Sequence, residues 1–279
     1  MNILLLGASG MLGSDINTVL HTAGHHVVGF DSKTFNMCDG HAVETALSSY
    51  PTPDFIVNCA AYTHVDLCET HREIAFEVNG KAVEHLARFA YRHHVPLVHF
   101  STDYVFNGQK ESPYLETDTC DPINAYGESK LAGEVAIQKY CEKFYLFRIQ
   151  WLYGHHGTHF IKTISNKAQN TPHLNIVNDQ WGSPTWTVEI ATSVLSVLET
   201  RPEYGLYHLA SEGYTHWCEY ADYFLKFQNI ACKLAGVPSS AYPTPAKRPL
   251  NSRLDIGKFA KTGCIKPSTW KEGIAKFLS

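Results

Sequence analysis

The chain has 279 residues, of which 44% are hydrophobic and 18% charged, and its formal net charge is −4. This length suits one large domain or two closely associated ones, and the composition provides a sizeable core and argues against disorder. The slight negative charge argues against nucleic acid or an anionic membrane as the main partner. We predict no signal peptide and no membrane span, and therefore expect a cytoplasmic protein.

Short apolar runs alternate with longer helical patterns along the first half of the chain. Strands are predicted at 2–6, 26–30, 54–58, 96–100 and 144–149. Helices are predicted at 11–23, 41–49, 72–93 and 126–142. Because the strands are apolar nearly throughout, both sheet faces must be covered. The pattern predicts an α/β fold, a doubly wound parallel sheet of Rossmann type, with a ligand crevice at the carboxyl ends of its strands.

After about residue 150 the pattern loosens. We predict a dinucleotide-binding domain over 1–150, with 174–200 returning to it as a strand and a helix. Residues 151–173 and 201–279 are rich in Pro, Gly, Trp and Tyr. We interpret them as a smaller, discontinuous substrate-binding lobe over the crevice.

The first strand runs directly into GASGMLG, a glycine-rich turn that precedes a helix. Glycines at such a turn let the backbone approach a pyrophosphate, and the helix N-terminus supplies hydrogen-bond donors. We therefore predict a cofactor-binding turn formed by Gly7, Ser9, Gly10, Met11, Leu12 and Gly13.

The end of the second strand bears on the choice of cofactor. A carboxylate at Asp31 suits the adenosine ribose hydroxyl of NADH, whereas Ser32 and Lys33 can accept the 2′-phosphate of NADPH. Both cofactors remain open. Asn36 and Met37 lie where the following loop can flank the adenine.

Small residues end the third strand. Ala60 and Ala61, followed by Tyr62, would let a cofactor lie against the backbone, with simple packing an equal alternative.

The segment AYGESK places Tyr126 four residues ahead of Lys130, on one face of a predicted helix. A nearby cation lowers a tyrosine pKa. Thr102 adds a hydroxyl at the end of the fourth strand. Together these side chains predict a reductase site: Thr102 hydrogen-bonds a carbonyl, Tyr126 donates the proton, and Lys130 lowers the Tyr126 pKa and holds the nicotinamide ribose.

These motifs resemble the extended short-chain dehydrogenases/reductases, and within them the dTDP-4-dehydrorhamnose reductase family. The matching stretches are 58–69, 101–108, 113–134, 148–154, 177–185, 205–210 and 241–255. The resemblance implies hydride transfer from NADPH or NADH to C4 of dTDP-4-dehydro-6-deoxy-L-mannose, a nucleotide-sugar substrate. The product would be dTDP-L-rhamnose, for surface polysaccharide synthesis.

The resemblance also implies roles for individual residues. Thr102, Tyr126 and Lys130 match the family's catalytic triad. Trp151 matches a tryptophan that lies against the sugar, with core packing as the alternative. Asp103 and Tyr104 join the implied substrate site, and they stand where related dehydratases carry Asp-Glu, so we do not expect a dehydratase.

A dianionic diphosphate requires local cations in a protein of net negative charge. The segment AKRPLNSR is the densest cationic candidate. We predict that at least one of Arg248 and Arg253 reaches the substrate pocket, because an arginine fork suits a diphosphate.

The eight cysteines contain no Cys-x-x-Cys pair, and we predict reduced thiols and no metal site. Some members of the resembled family dimerise through Mg²⁺ held by glutamates. Asp15 and Glu189 lie near two such positions and the third is not matched, which leaves Mg²⁺ and a homodimer open.

Two other functions remain open. One is a non-catalytic nucleotide-binding subunit resembling the regulatory subunit of methionine adenosyltransferase. The other is a reductase or epimerase of a different nucleotide sugar.

Overall fold

The structure, a computed structural model, describes residues 1–279. Its strands in chain order are β1 (Asn2–Leu6), β2 (His26–Phe30), β3 (Phe55–Asn58), β4 (Leu97–Thr102), β5 (Phe144–Ile149), β6 (Leu152–Tyr153), β7 (His173–Val177), β8 (Trp181–Gly182), β9 (Thr185–Trp186), β10 (Gly205–His208), β11 (Thr215–His216) and β12 (Lys233–Val237). Its α-helices are α1 (Met11–Thr22), α2 (Gly40–Ser48), α3 (Val65–Thr70), α4 (Arg72–Phe76), α5 (Ala82–Arg92), α6 (Ala125–Tyr140), α7 (Phe160–Asn170), α8 (Thr187–Thr200), α9 (Trp217–Phe227), α10 (Gly257–Ala260) and α11 (Trp270–Leu278). A π-helical segment covers Glu77–Lys81, and 3-10 turns cover Asp103–Val105 and Ser239–Ala241.

Six parallel strands form the main sheet, in the order β10-β5-β4-β3-β1-β2. Apolar side chains of these strands pack into two buried clusters, one on each face of the sheet. This arrangement confirms the predicted doubly wound α/β fold. The strand order reverses between β1 and β3, and ligands of such sheets bind beyond the carboxyl ends of the strands at that point.

The second half of the chain is divided between the main sheet and the smaller lobe differently from our prediction. The predicted strand at 174–177 is β7, which pairs with β12 in the smaller lobe rather than with the main sheet. The segment 205–208, expected in the lobe, is β10 and pairs with β5 at the edge of the main sheet. Helix α8 does return to the main sheet, where it packs against α1. Ile176 is the only buried residue of β7. This pattern suits a two-stranded ribbon that packs on one side against helices.

The smaller lobe has an apolar core of its own. Helices α7, α9 and α11 contribute most of it, including Ile161, Tyr220, Phe224 and Trp270. No helix of the protein is both long enough and apolar enough to span a membrane.

Candidate active site

The glycine-rich turn lies at the carboxyl end of β1, against the backbone that follows β3. Gly7 has φ +74°, and a Cβ there would lie 2.6 Å from the backbone nitrogen of Ala60. A Cβ on Gly13 would lie 2.0 Å from the Gly7 carbonyl oxygen. Gly10 precedes α1 and provides no side-chain cap, so the first N–H groups of the helix have no side-chain partner. This open helix N-terminus fits the pyrophosphate of a dinucleotide.

The predicted residues of this turn occupy different environments. Ser9 and Gly10 are exposed, Met11 is half-buried, and Leu12 belongs to the apolar core. Ser9, Gly10 and Met11 therefore lie at the surface of the turn, whereas Leu12 supports the turn from the core.

Asp31 shapes the turn that follows β2. Its Oδ1 accepts hydrogen bonds from the backbone N–H groups of Lys33, at 2.9 Å, and Thr34, at 3.2 Å. The bond from Lys33 is the main reason that the pKa of Asp31 is lowered. Ser32 and Lys33 are exposed.

The two residues predicted to flank the adenine lie in the next loop and differ in burial. Asn36 is exposed, and its Oδ1 accepts from the Cys38 N–H at 3.1 Å. Met37 is buried in the apolar cluster beneath the sheet. Met37 therefore supports the loop from below.

A π-helical segment interrupts the single helix that we predicted over 72–93. It carries Asn79, which is fully buried. The Asn79 amide accepts from the Tyr62 N–H at 2.8 Å, donates to the Tyr62 carbonyl oxygen at 2.9 Å and donates to Ser129 Oγ at 3.0 Å. Asn79 thus fixes the half-buried loop of Ala60 and Ala61 against α6. Sequence analysis missed this residue, because hydrophobic periodicity does not reveal a π-helical turn.

Helix α6 brings Tyr126 close to Thr102. Asn124 caps the helix by accepting from the Gly127 N–H at 2.8 Å. A Cβ on Gly127 would lie 2.1 Å from the Tyr104 carbonyl oxygen, so only glycine lets the helix lie this close to the end of β4. The rings of Tyr104 and Tyr126 meet edge to face, with centroids 6.0 Å apart.

The pKa of Tyr126 is raised, although the residue is only half-buried. Burial is the main cause and the charge of Asp103 the second, while the Thr102 hydroxyl acts in the opposite direction. We had predicted that Lys130 would lower this pKa. Lys130 is not among the groups that shift the pKa of Tyr126 in the folded protein, where burial favours the neutral phenol.

Asp103 is a buried carboxyl group beside this phenol, and 3% of its surface is exposed. Thr102 Oγ1 donates to its Oδ1 at 2.9 Å, and Oδ2 has no hydrogen-bond partner. Ser252 lies close enough to affect the carboxyl group, but its hydroxyl donates to the Trp181 carbonyl oxygen at 3.2 Å. Burial raises the pKa of Asp103 to about 7, so its charge changes near neutral pH.

Lys130 is buried below the crevice, with 2% of its surface exposed. Its Nζ lies 3.3 Å from His99 Nε2, and His99 Nδ1 lies 3.0 Å from Asn58 Nδ2. Burial lowers the pKa of Lys130 to about 8, and the charge of Glu134 acts in the opposite direction. Sequence analysis did not single out Asn58 or His99. Their signal was polarity inside strands that are otherwise apolar.

A cavity of about 540 Å³ lies on the lobe side of the site. Its walls include the aromatic rings of Phe160, Trp217 and Tyr242 and the cationic groups of Lys167 and Arg248. An apolar cavity with a few convergent polar groups is typical of a small-molecule site.

The two predicted arginines differ in position. Arg248 lines the cavity and forms a two-pronged ion pair with Asp66, at 3.1 and 2.9 Å. Arg253 does not line it. Its Nε donates to Asn251 Oδ1 at 2.8 Å, and its guanidinium lies over the ring of Trp181. Arg253 therefore braces its own loop, whereas Arg248 has its guanidinium at the cavity wall.

Trp151 lies behind the cavity wall. Its ring stacks on Trp217 with centroids 3.7 Å apart, and its backbone has φ +47°, which is unusual for a bulky side chain. Neither amide atom of the preceding residue, Gln150, has a hydrogen-bond partner, although the side chain is buried. Sequence analysis missed Trp217, which lies outside the matching stretches, and did not single out Gln150, which lies within the stretch 148–154.

The carboxylates considered for a bridging metal are occupied by other groups. Glu189 accepts from Lys276 Nζ at 2.9 Å and from the Ser268 N–H at 3.2 Å. Asp15 accepts a hydrogen bond from Thr187. The protein has no group of three or more His, Cys, Asp or Glu side chains placed to hold a metal ion.

Comparisons with known proteins agree on one family for this chain. The model of the family described as RmlD substrate binding domain matches residues 1–279. The dTDP-4-dehydrorhamnose reductase of Escherichia coli K12 is 38% identical over 294 residues, covering 100% of this chain and 97% of the relative.

Two solved structures give the same result. The dTDP-4-dehydrorhamnose reductase of Clostridium acetobutylicum superposes with a TM-score of 0.96 at 34% identity, covering 100% of this chain and 98% of that one. That of Bacillus anthracis, solved in complex with NADP, superposes with a TM-score of 0.95 at 30% identity, covering 99% and 98%.

Proposed function

This chain belongs to the RmlD substrate binding domain family, and we propose that it is a dTDP-4-dehydrorhamnose reductase that uses NADPH or NADH. It reduces the C4 keto group of dTDP-4-dehydro-6-deoxy-L-mannose to give dTDP-L-rhamnose. The observation that carries this proposal is that Thr102, Tyr126 and Lys130 lie with the glycine-rich turn at one edge of the parallel sheet. A nicotinamide cofactor supplies the hydride when it is bound.

The side chains of the site supply the proton and hold the substrate. Tyr126 donates a proton to the O4 atom, and its raised pKa keeps the phenol protonated until then. Thr102 orients the carbonyl oxygen. Its hydroxyl donates to Asp103 in this structure. A protonated Asp103 would donate to Thr102 Oγ1 instead, which releases the threonine hydrogen for the substrate.

The cavity beside this site suits the rest of the nucleotide sugar. Arg248 can meet the diphosphate, and the stacked pair of Trp151 and Trp217 can pack against the sugar ring. The unpartnered amide of Gln150 offers a donor and an acceptor to hydroxyl groups.

The same proposal bears on the location of the protein, the use of its product and its oligomeric state. All eight cysteines are unpaired, as is usual in a reducing compartment, which supports a cytoplasmic location. We expect the product to serve surface polysaccharide synthesis, and a homodimer remains a prediction.

One assay tests the function. The purified protein is given dTDP-4-dehydrorhamnose with NADPH or NADH, cofactor oxidation is followed by absorbance, and the product is identified by NMR. We expect stoichiometric formation of dTDP-L-rhamnose. Nucleotide binding without turnover would favour the regulatory-subunit alternative. Sugar interconversion without net cofactor oxidation would favour an epimerase.

A further inference from the structure

A chain of three hydrogen-bonding contacts leads from the backbone to Lys130. The Ala60 N–H donates to Asn58 Oδ1 at 3.0 Å. Asn58 Nδ2 lies 3.0 Å from His99 Nδ1, and His99 Nε2 lies 3.3 Å from Lys130 Nζ. Asn58 and His99 are each 1% exposed, so solvent cannot replace a missing partner.

The direction of this chain is set at its backbone end. A peptide N–H can only donate, so the Asn58 atom facing Ala60 must be the carbonyl oxygen. The Asn58 NH₂ group therefore faces His99 and donates to Nδ1. A neutral imidazole that accepts at Nδ1 carries its hydrogen on Nε2. That hydrogen points at the Lys130 amine.

We propose that Asn58 and His99 form a positioning relay that holds His99 as its Nε2–H tautomer and so makes Lys130 a reversible proton donor rather than a permanent cation. An ammonium group facing an N–H has no acceptor there. A neutral amine facing the same N–H accepts a hydrogen bond. The relay therefore favours loss of the Lys130 proton.

The other groups around Lys130 are compatible with this relay. Burial and Lys130 keep the pKa of His99 well below its usual range, so the ring stays neutral. Burial raises the pKa of Cys59, which keeps that thiol uncharged. Glu134, one turn along α6, favours the ammonium form, but it is bound by Arg148 through Nε at 3.0 Å and Nη2 at 2.6 Å. Tyr126, on the same helix face, is the neutral phenol.

The catalytic role of this relay rests on the proposed function. When Tyr126 gives its proton to the substrate oxygen, the phenolate must recover one before the next turnover. A lysine with a pKa of about 8 can release that proton near neutral pH and take one up again between turnovers. Because the pKa of Tyr126 is raised and that of Lys130 is lowered, transfer from the lysine to the phenolate is more favourable than it would be from an ordinary lysine, with a pKa near 10.4.

The tautomer of His99 is measured directly by NMR on protein labelled with ¹⁵N-histidine, with the His99 signals assigned by their absence from a His99→Gln variant. We expect the Nε2–H form and no imidazolium from pH 6 to pH 9. An Nδ1–H tautomer or a protonated ring in the unaltered protein would overturn the proposal. This experiment needs no substrate, so its result does not depend on whether the protein reduces a nucleotide sugar.

A nearly isosteric variant, Asn58→Asp, tests the consequence for Lys130. The carboxylate still accepts from Ala60, and it also accepts from His99 Nδ1–H, which reverses the tautomer and turns Nε2 towards Lys130 as an acceptor. We expect the alkaline limb of the kcat–pH profile to move upwards by about one pH unit, a tenfold change in the proton dissociation constant. A variant that loses rate equally at every pH, with the Nε2–H tautomer kept, would give the pair a structural role alone.

Discussion

At the scale of single residues, Tyr126 has the most direct role in the proposed chemistry. Tyr126→Phe keeps the ring and removes the proton. Because positioned proton transfer typically contributes about 10²–10⁴-fold, we expect kcat to fall by that factor while NADPH affinity stays unchanged. Steady-state kinetics and a fluorescence titration of NADPH measure the two effects. Tyr140→Phe, at the far end of α6, is the matched control, and a near-normal rate in Tyr126→Phe would reassign the acid.

Asp103 should make the stability of the protein depend on pH. Its pKa is about 7 in the folded protein, against about 3.9 in an unfolded chain, so the folded state binds more protons between these values. The free energy of unfolding must therefore fall as pH rises from about 4 to 7. From pH 5 to pH 8, this one group accounts for a loss of about 2–3 kcal/mol.

Asp103→Asn should remove that loss. Urea denaturation of both proteins at pH 5 and pH 8 gives the comparison, since other titrating groups affect both proteins equally. An equal pH dependence in the two proteins would mean that Asp103 is ionised throughout this range.

Asp31 should influence the choice between the two cofactors. In Asp31→Ala, loss of the carboxylate should raise the ratio of kcat/KM for NADPH over that for NADH, because Lys33 remains and the acceptor for the ribose hydroxyl is lost. Asp31→Asn is the control, since its side-chain oxygen can still accept from Lys33 and Thr34. If Asp31→Ala keeps the wild-type ratio, this residue does not face the ribose.

The sequence predicted the residue types of the site better than their electrostatic state. Thr102, Tyr126 and Lys130 could be picked out because strand ends and helical spacing bring them together. The raised pKa of Tyr126 could not, because it depends on burial and on Asp103 after folding. For the same reason, the contact of Lys130 with His99 was invisible in the sequence.

At the scale of secondary-structure elements, Gly127 controls how closely α6 lies on the end of β4. In Gly127→Ala, the new Cβ would lie 2.1 Å from the Tyr104 carbonyl oxygen, so the helix must shift. Overpacking of this kind typically costs about 1–3 kcal/mol, and it would also displace Tyr126.

We expect this variant to lose both thermal stability and kcat, as measured by calorimetry and steady-state kinetics. Val135→Ala, at a position of α6 that is 56% exposed, should stay within about 0.5 kcal/mol of the wild type. Equal behaviour of the two variants would mean that the helix has room to move.

Elements with a clear hydrophobic period were predicted well, and short or irregular ones were not. The five predicted main-sheet strands all occur within one or two residues of their expected limits. The two-residue strands β6, β8, β9 and β11 carry no period at all. The π-helical turn at Asn79 joins α4 to α5 without a break in the helical residues, so the sequence predicted one helix over 72–93.

At the scale of the whole molecule, the loop that carries Arg248 joins the lobe to the cofactor-binding half. Asn124 donates to the Lys247 carbonyl oxygen at 2.7 Å, and Asp66 accepts from the Ala246 N–H at 3.1 Å. Arg248→Ala removes the cation at the cavity and leaves these backbone contacts in place. Because substrate and transition state carry the same diphosphate, we expect KM to rise with little change in kcat.

Loss of this charge-assisted contact should weaken dTDP binding by about 2 kcal/mol, as measured by calorimetric titration. Arg253→Ala is the comparison, because Arg253 does not line the cavity. Wild-type affinity in Arg248→Ala would remove this arginine from the substrate site.

The overall topology could be predicted only where consecutive elements alternate regularly. Strand–helix alternation up to residue 149 implied a parallel sheet. The partner of β7 and the position of β10 depend on pairings between distant segments, which local patterns do not specify.

The edge position of β10 has a consequence for synthesis on the ribosome. Strand β5 is covered on its outer side only when residues 205–208 have emerged and paired with it. Until then the nascent chain presents FYLFRI as a free, apolar edge, the kind of surface that recruits other unfinished chains. Helix α8 emerges earlier, but it packs on α1 and leaves that edge open. Translation that pauses between these segments would therefore prolong the exposure of this edge to other unfinished chains.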